Sequence, residues 1–429
     1  MNQLIIGGYN GDALSNLATE YNTLGGGFTW ATSTSRRQVI STPGSFSYLS
    51  IKLSATPGGG GSYTIKLLNI TQATSLNVVI NDGNTTGVNS GTLNVVAGDV
   101  VQIESSYSGS PSNTPSATWS VIFIGDNFKE SLILSAFSTS RTDTVYAPIS
   151  LGTPNSNAVE STCFQIIPTN GKIKNLFVVL SADPGTSPDA YRITLRVNAA
   201  NSDDGLGNPL QTTITADSTT GNDTTHEIIV AAGDRVDYLI EPLNTPATSG
   251  VTAAAGLTFV SDIDGESVIL GSSNDLVTIN ATEFNNLSGT TLSAVWSGTE
   301  SIRIQGGQNN VSIILKKLYV KLSNTSVGNY TFYVRSSGSG GNTTITCVVS
   351  AGGTTANDTA NSYTLGSYDD ICLSCNALGT ARAVAWGLVC YIAPPGPVNI
   401  KSVNGLAIAS VKSKNGLAMS NIKSINGLN

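Results

Sequence analysis

Leu49-Ser-Ile-Lys-Leu53, Leu176-Phe-Val-Val-Leu180 and Leu318-Tyr-Val-Lys-Leu322 are three versions of one alternating apolar strand, and their recurrence decides the fold. A period of two sends successive side chains to opposite faces, so each run buries one face and wets the other. Each is followed by a second strand that opens on tyrosine: Tyr63-Thr-Ile-Lys-Leu67, Tyr191-Arg-Ile-Thr-Leu195 and Tyr330-Thr-Phe-Tyr-Val334. Farther on, Thr85-Thr-Gly87, Thr219-Thr-Gly221 and Thr354-Thr-Ala356 lead into another strand. That strand ends at Ala97-Gly-Asp99 and Ala232-Gly-Asp234, with Ser367-Tyr-Asp369 as the looser third counterpart.

Each copy closes on an apolar strand, and Leu257-Thr-Phe-Val260 aligns with Trp119-Ser-Val-Ile-Phe123 and Trp386-Gly-Leu-Val389. The junctions also repeat. Residues Ile124 to Ser131 match Val260 to Ser267, and each junction runs into a first strand, Leu132-Ile-Leu134 or Val268-Ile-Leu270, as Leu4-Ile-Ile6 does at the start. The expected architecture is all-β: three tandem β-sandwich or jelly-roll domains, each with its own core, over 1–127, 128–264 and 265–396, then a repetitive arm over 397–429. Each domain reads as about eight short strands parted by Gly, Asn, Asp and Pro turns.

Composition agrees. Only 11% of the 429 residues are charged and 40% are hydrophobic, with 45 glycines, a mix that favours strands and turns. The net charge of -7 and the lack of clustered Lys and Arg in the body of the chain argue against a nucleic-acid partner. The opening Met1-Asn-Gln-Leu-Ile-Ile-Gly-Gly-Tyr-Asn-Gly-Asp12 has no basic n-region, so no secretion signal is expected. No apolar run approaches the roughly 20 residues that cross a bilayer as a helix. Synthesis in a cytoplasm without membrane insertion is the expectation.

The arm repeats every eleven residues: Ile400-Lys-Ser-Val-Asn-Gly-Leu406, Val411-Lys-Ser-Lys-Asn-Gly-Leu417 and Ile422-Lys-Ser-Ile-Asn-Gly-Leu428. Asn-Gly weakens a helix and is the preferred two-residue hairpin turn, so short strands in a hairpin series or a β-prism are expected. Such hairpins bury little by themselves and need something to dock on. The arm carries Lys401, Lys412, Lys414 and Lys423 and no acid, so the remaining chain sums to -7 - 4 = -11. Lys401, Asn404, Gly405, Lys412, Asn415, Gly416, Lys423, Asn426 and Gly427 are therefore the candidate docking residues, facing an acidic partner or sister chains.

Catalytic signatures are missing from the sequence: there is no GxSxG elbow, phosphate loop, HExxH or dinucleotide fingerprint. The single histidine, His226, sits in a polar strand entry and rules out His-rich chemistry. Scattered Asp and Glu at turns do not suggest the paired carboxylates of a glycosidase. Cys372 and Cys375 form one CxxC in a strand-like run, where residues three apart face opposite ways. Together with Cys163, Cys347 and Cys390 they read as buried thiols rather than a metal site or a disulfide framework. Calcium is the one cofactor the loops allow, at Asn81-Asp-Gly-Asn84 and Asp217 to Asp223. Trp30 and Trp296 match, as do Trp119 and Trp386, and recurrence at fixed strand positions reads as core rather than sugar platform. Asn-x-Ser/Thr sequons such as those at Asn69, Asn280 and Asn329 are not read as glycosylated.

A first strand of LILG type, Trp30 followed by Arg36-Arg-Gln-Val-Ile40, the YxKLS strand Tyr319 to Ser323, a TTGxD-like turn at Thr220 to Asp223 and an AAGD turn at Ala231 to Asp234 resemble repeats of minor structural proteins in tailed phages. The IKSxNGL arm also resembles C-terminal arms of such proteins. The resemblance implies a non-enzymatic, oligomeric virion component, a capsid decoration, head fibre or tail appendage, whose partners are other virion proteins and sister chains. A surface adhesin or lectin-like module that binds host glycans is the alternative. The second copy departs by lacking both tryptophans and by an insertion near Asp203 to Asn208.

Overall fold

The computed structural model describes residues 2–394 except 9–10, 27–28, 34–35, 128, 151–154, 289–295, 308–310 and 338–339, and beyond them 402–403, 406–407, 413–414 and 417–418. The protein is all-β, with several antiparallel sheets and, among the described residues, two short 3-10 turns, Glu160–Thr162 and Glu300–Ile302.

The first block of chain contains β1 (Asn2–Gly8), β2 (Glu20–Asn22), β3 (Gln38–Val39), β4 (Gly44–Leu53), β5 (Ser62–Asn69), β6 (Thr74–Asn81), β7 (Thr86–Val95), β8 (Val100–Ser108) and β9 (Ala117–Gly125). They form one sheet in the order β1-β9-β4-β7 and another in the order β2-β8-β5-β6, with β3 beside β8. The second block contains β10 (Glu130–Ser138), β11 (Val145–Ala147), β12 (Gln165–Ile166), β13 (Gly171–Leu180), β14 (Ala190–Val197), β15 (Ala200–Asn201), β16 (Gln211–Thr215), β17 (Thr220–Val230), β18 (Arg235–Leu243) and β19 (Thr252–Ser261). The orders recur as β10-β19-β13-β17 and β11-β18-β14, where β14 also pairs β15 and β16 and β18 pairs β12. The third block contains β20 (Glu266–Ser273), β21 (Ala281–Asn285), β22 (Gln305–Gly306), β23 (Ile313–Leu322), β24 (Tyr330–Ser336), β25 (Gly341–Val349), β26 (Thr355–Thr364), β27 (Asp370–Ala377) and β28 (Val384–Ile392). It repeats the pattern as β20-β28-β23-β26 and β21-β27-β24-β25, with β22 on β27.

Fine details repeat as well. A β-bulge interrupts β4, β13 and β23 one residue before Leu49, Leu176 and Leu318, and the bulged residues Tyr48, Asn175 and Lys317 are left-handed at φ 57°, 53° and 55°. Asp99, Asp234 and Asp369 each accept a hydrogen bond from the backbone N–H three residues earlier, at 2.9, 2.7 and 2.9 Å. The looser third turn keeps this geometry because Tyr368 takes the left-handed conformation that glycine takes in the other two. The insertion in the second block is the exposed excursion after β14, tied by the Asp204 N–H to the Asn208 carbonyl at 3.0 Å.

Two expectations need correction. Register places Ala255, not Leu257, at the position of Trp119 and Trp386. Val178 opposes Ala255 just as Ile51 opposes Trp119 and Val320 opposes Trp386. The residues Thr220 to Asp223 form the start of β17 rather than a turn.

The cores are also not independent. Ile5, Ile133 and Ile269 point into their own block's core, while their neighbours point into the preceding one. Leu132 and Leu134 join the first block's core, Val268 and Leu270 join the second's, and Leu4 and Ile6 join the third's. The physical reason lies in the sequence: a run without alternation is apolar on both faces and stays buried only between two cores. This exchange closes a ring, since β1 at the chain start completes the block at the chain end.

Candidate docking surface

Ring closure depends on three further contacts that follow the same cycle. Strand β3 packs on β19, β12 packs on β28, and β22 packs on β9. Glycine makes the approach possible. A Cβ on Gly256 would sit 2.0 Å from the Val39 carbonyl oxygen, and one on Gly387 would sit 1.8 Å from that of Ile166. At the third contact the small residue has changed sides. Gly306 occupies the place of Val39 and Ile166, and its Cβ would lie 2.8 Å from the Trp119 carbonyl, next to Ser120, which stands where the others have glycine. Sequence reasoning missed these glycines, although an isolated glycine in an apolar strand is a signal of close backbone approach.

Polar clamps accompany the packing. Glu130 receives hydrogen bonds from Thr42 of the first block and Asn127, and pairs with Lys174 at 2.7 Å. Glu266 repeats this with Thr169 of the second block at 2.6 Å, and with Lys316 at 2.9 Å and Lys317 at 2.8 Å. Burial acts to raise both carboxyls, but the hydrogen bonds and lysine charges outweigh it and hold them below their ordinary values. Gln3 of β1 adds two hydrogen bonds of 2.8 Å to the Leu132 backbone, and Thr258 donates to Ser41 at 2.9 Å.

The junctions between blocks lie side by side. Lys129 pairs with Asp264 at 2.9 Å and donates to the Asp262 carbonyl at 3.0 Å, so the first junction touches the second. The Ile392 N–H donates to the Gly265 carbonyl at 3.0 Å, and a Cβ on Gly265 would sit 3.1 Å from Pro394. The chain therefore leaves the third block next to both junctions. Beyond it, Ser402–Val403 pairs antiparallel with Leu406–Ala407, and Ser413–Lys414 pairs with Leu417–Ala418, the hairpin register expected around Asn-Gly. The candidate docking residues Lys401, Asn404, Gly405, Lys412, Asn415, Gly416, Lys423, Asn426 and Gly427 lie outside the described residues, as does the third repeat.

The other candidate side chains have structural partners. All four tryptophans are buried, with ring centroids 5.5 Å apart for Trp30 and Trp119 and 5.9 Å apart for Trp296 and Trp386. Trp119 and Trp386 donate to the Leu24 and Leu287 carbonyls at 2.8 Å. The five cysteines are buried thiols, and burial raises each thiol pKa, to about 12 for Cys163, Cys347 and Cys390. As expected for a strand, Cys375 enters the core while Cys372 turns away toward Glu300. His226 meets Asp223 at 2.8 Å. Asp223 also accepts the Gln211, Thr225 and His226 N–H groups, as Asp358 accepts those of Thr346, Ala360 and Asn361. These oxygens cap the strand beside the bulge and are taken up there. Asp82 of the other calcium candidate accepts the Gly60 N–H at 3.1 Å. Among the described residues no three His, Cys, Asp or Glu side chains gather to hold a metal, and no helix is long and apolar enough to cross a membrane.

No protein-family model and no curated protein sequence matches this chain.

Proposed function

We propose that the three sheet pairs are tandem jelly-roll domains arranged about a pseudo-threefold axis, and that the chain is a non-enzymatic component exposed on a phage particle. The observation that carries this reading is the cyclic exchange of first strands, which makes a closed, three-lobed body from one chain, with the arm departing at the end where the junctions meet. The strand orders β1-β9-β4-β7 and β2-β8-β5-β6, with their counterparts in the other two blocks, support the jelly-roll reading. A body of this symmetry suits a threefold or quasi-threefold position on a larger assembly. In this reading the basic Asn-Gly arm attaches the body to other virion proteins or to sister chains. A capsid decoration, head fibre or tail appendage would each present the body outward. The adhesin alternative relied on aromatic sugar platforms, and burial of all four tryptophans takes away its strongest candidates.

The test compares the full chain with a chain ending at residue 397, measuring mass in solution and attachment to phage particles that lack the protein. The proposal expects the shortened chain to keep its melting temperature and lose attachment at least tenfold. Equal attachment by both forms would remove the docking role of the arm.

A further inference from the structure

The three inter-block contacts differ in charge at one equivalent point. Lys52, Val179 and Lys321 each lie three residues beyond the leucine that follows the bulge, and Val100, Arg235 and Asp370 each open the strand after the Asp turn. Where the third block meets the first, Asp370 pairs with Lys52 at 2.6 Å. Where the first meets the second, both places are valine. Where the second meets the third, they hold two cations, Arg235 and Lys321.

These cations line a recess of about 90 Å³ whose wall also includes Ser161, Thr162, Ser272 and Ser323. The Arg235 guanidinium lies 4.8 Å from the centroid of the Phe164 ring. Among the described residues neither cation has a salt bridge, in contrast to Lys52 at the pseudo-equivalent place. The nearby carboxyl of Asp237 supplies no offsetting charge at neutral pH, because burial, with help from Glu160, pushes it up to about 9. Burial and then the charge of Arg235 hold the Lys321 ammonium below its ordinary value. Two like charges at a packed contact oppose association unless an anion lies between them. A tetrahedral oxyanion fits this chemistry. Its charge answers both cations, its several acceptors meet guanidinium and ammonium donors together, and the recess has room for it.

We propose that the recess between the second and third blocks binds one tetrahedral oxyanion, phosphate or sulfate in class, bridging Arg235 and Lys321. The ion acts as a removable counterpart of Asp370 and fastens the contact that places two cations at this point. The site goes beyond the virion reading and does not depend on it.

The experiment titrates the full chain with inorganic phosphate, sulfate and glucose 6-phosphate in chloride buffer of matched ionic strength, by calorimetry and thermal unfolding. The expected result is one-to-one binding of phosphate and a rise in melting temperature that chloride does not produce. Arg235→Asp and Lys321→Ala should each weaken binding at least tenfold. Arg235→Asp, which recreates the pair seen at Lys52, should also melt without phosphate at or above the wild-type temperature. Tight binding of glucose 6-phosphate supports a phosphoryl group carried on a larger molecule, and binding of the inorganic ions alone supports a free ion. Absence of phosphate binding, or an equal response in wild type and both variants, overturns the proposal. Lys321→Ala keeps the test decisive if Arg235→Asp fails to fold.

Discussion

The outer blocks and the middle block solve the same packing problem with different side chains. In the first and third, a tryptophan pair fills the space between sheets, and Gly7 and Gly271 lie under the indoles, where a Cβ would come within 2.3 and 2.4 Å of the ring. In the middle block the pair is absent, Ala255 and Ser156 stand in the two places, and Ser135 replaces the glycine. Volume returns from the neighbouring strands, where Phe137 and Tyr238 meet at 5.4 Å in the positions of Ser273 and Leu373. Cores are held to total volume and pattern more than to particular residues, so both fillings keep one backbone. The contacts between blocks show less freedom, since the close approaches recur at all three.

Trp386→Ala should cost about 3 to 5 kcal/mol, as removal of a fully buried indole does, by urea denaturation of the full chain. A loss below about 1 kcal/mol would show that the outer blocks do not rely on the pair. Next, Gly271→Ala should cost about 1 to 3 kcal/mol through overpacking, and should become nearly neutral in the Trp386→Ala background, where the indole is gone. Equal costs in the two backgrounds would refute the contact.

Asp237 is buried where the outer blocks have Gln102 and Cys372, and among the described residues neither of its oxygens has a hydrogen-bond partner. Its folded pKa is raised from 3.8 to about 9. The folded state therefore keeps a proton that the unfolded chain releases, and stability falls as pH rises from about 4 toward 9. Asp237→Asn should be without effect below pH 4 and stabilise by about 1 to 3 kcal/mol at neutral pH. A stability difference that does not change with pH would refute this. Tyr238 has a buried hydroxyl with no partner among the described residues, whereas Tyr63 donates to the Asn113 carbonyl at 2.9 Å. Tyr238→Phe should be neutral or stabilising by up to about 1 kcal/mol, and Tyr63→Phe should destabilise by about 1 kcal/mol. The reverse order in melting temperature would count against the assignment.

Much of the fold was legible because its signals are local. The repeated leucine strands, the opening tyrosines and the Asp turns all carry period and turn chemistry that a single chain displays. The middle closing strand was misaligned by two residues because its anchor, tryptophan, has become Ala255, and the next large residue, Leu257, attracted the alignment. The sharing of cores was written in the unbroken runs Leu4 to Ile6, Leu132 to Leu134 and Val268 to Leu270. Which neighbour covers the second face of such a run, however, is a tertiary fact that no local pattern encodes. The like-charged pair of Arg235 and Lys321 was invisible for the same reason, since 86 residues of sequence separate two side chains that fold into one recess.

The packing of β1 on the last block has a temporal side. Leu4 and Ile6 leave the ribosome before the block they pack on, and their core is complete only once β28 has emerged, roughly 20 to 80 s later at ~5–20 residues per second. Through that interval the leading strand has an uncovered apolar face, and the same strand of a sister chain can occupy its place. Slow dilution during refolding should therefore favour the single-chain form, and crowded translation on one message should favour dimers with exchanged first strands.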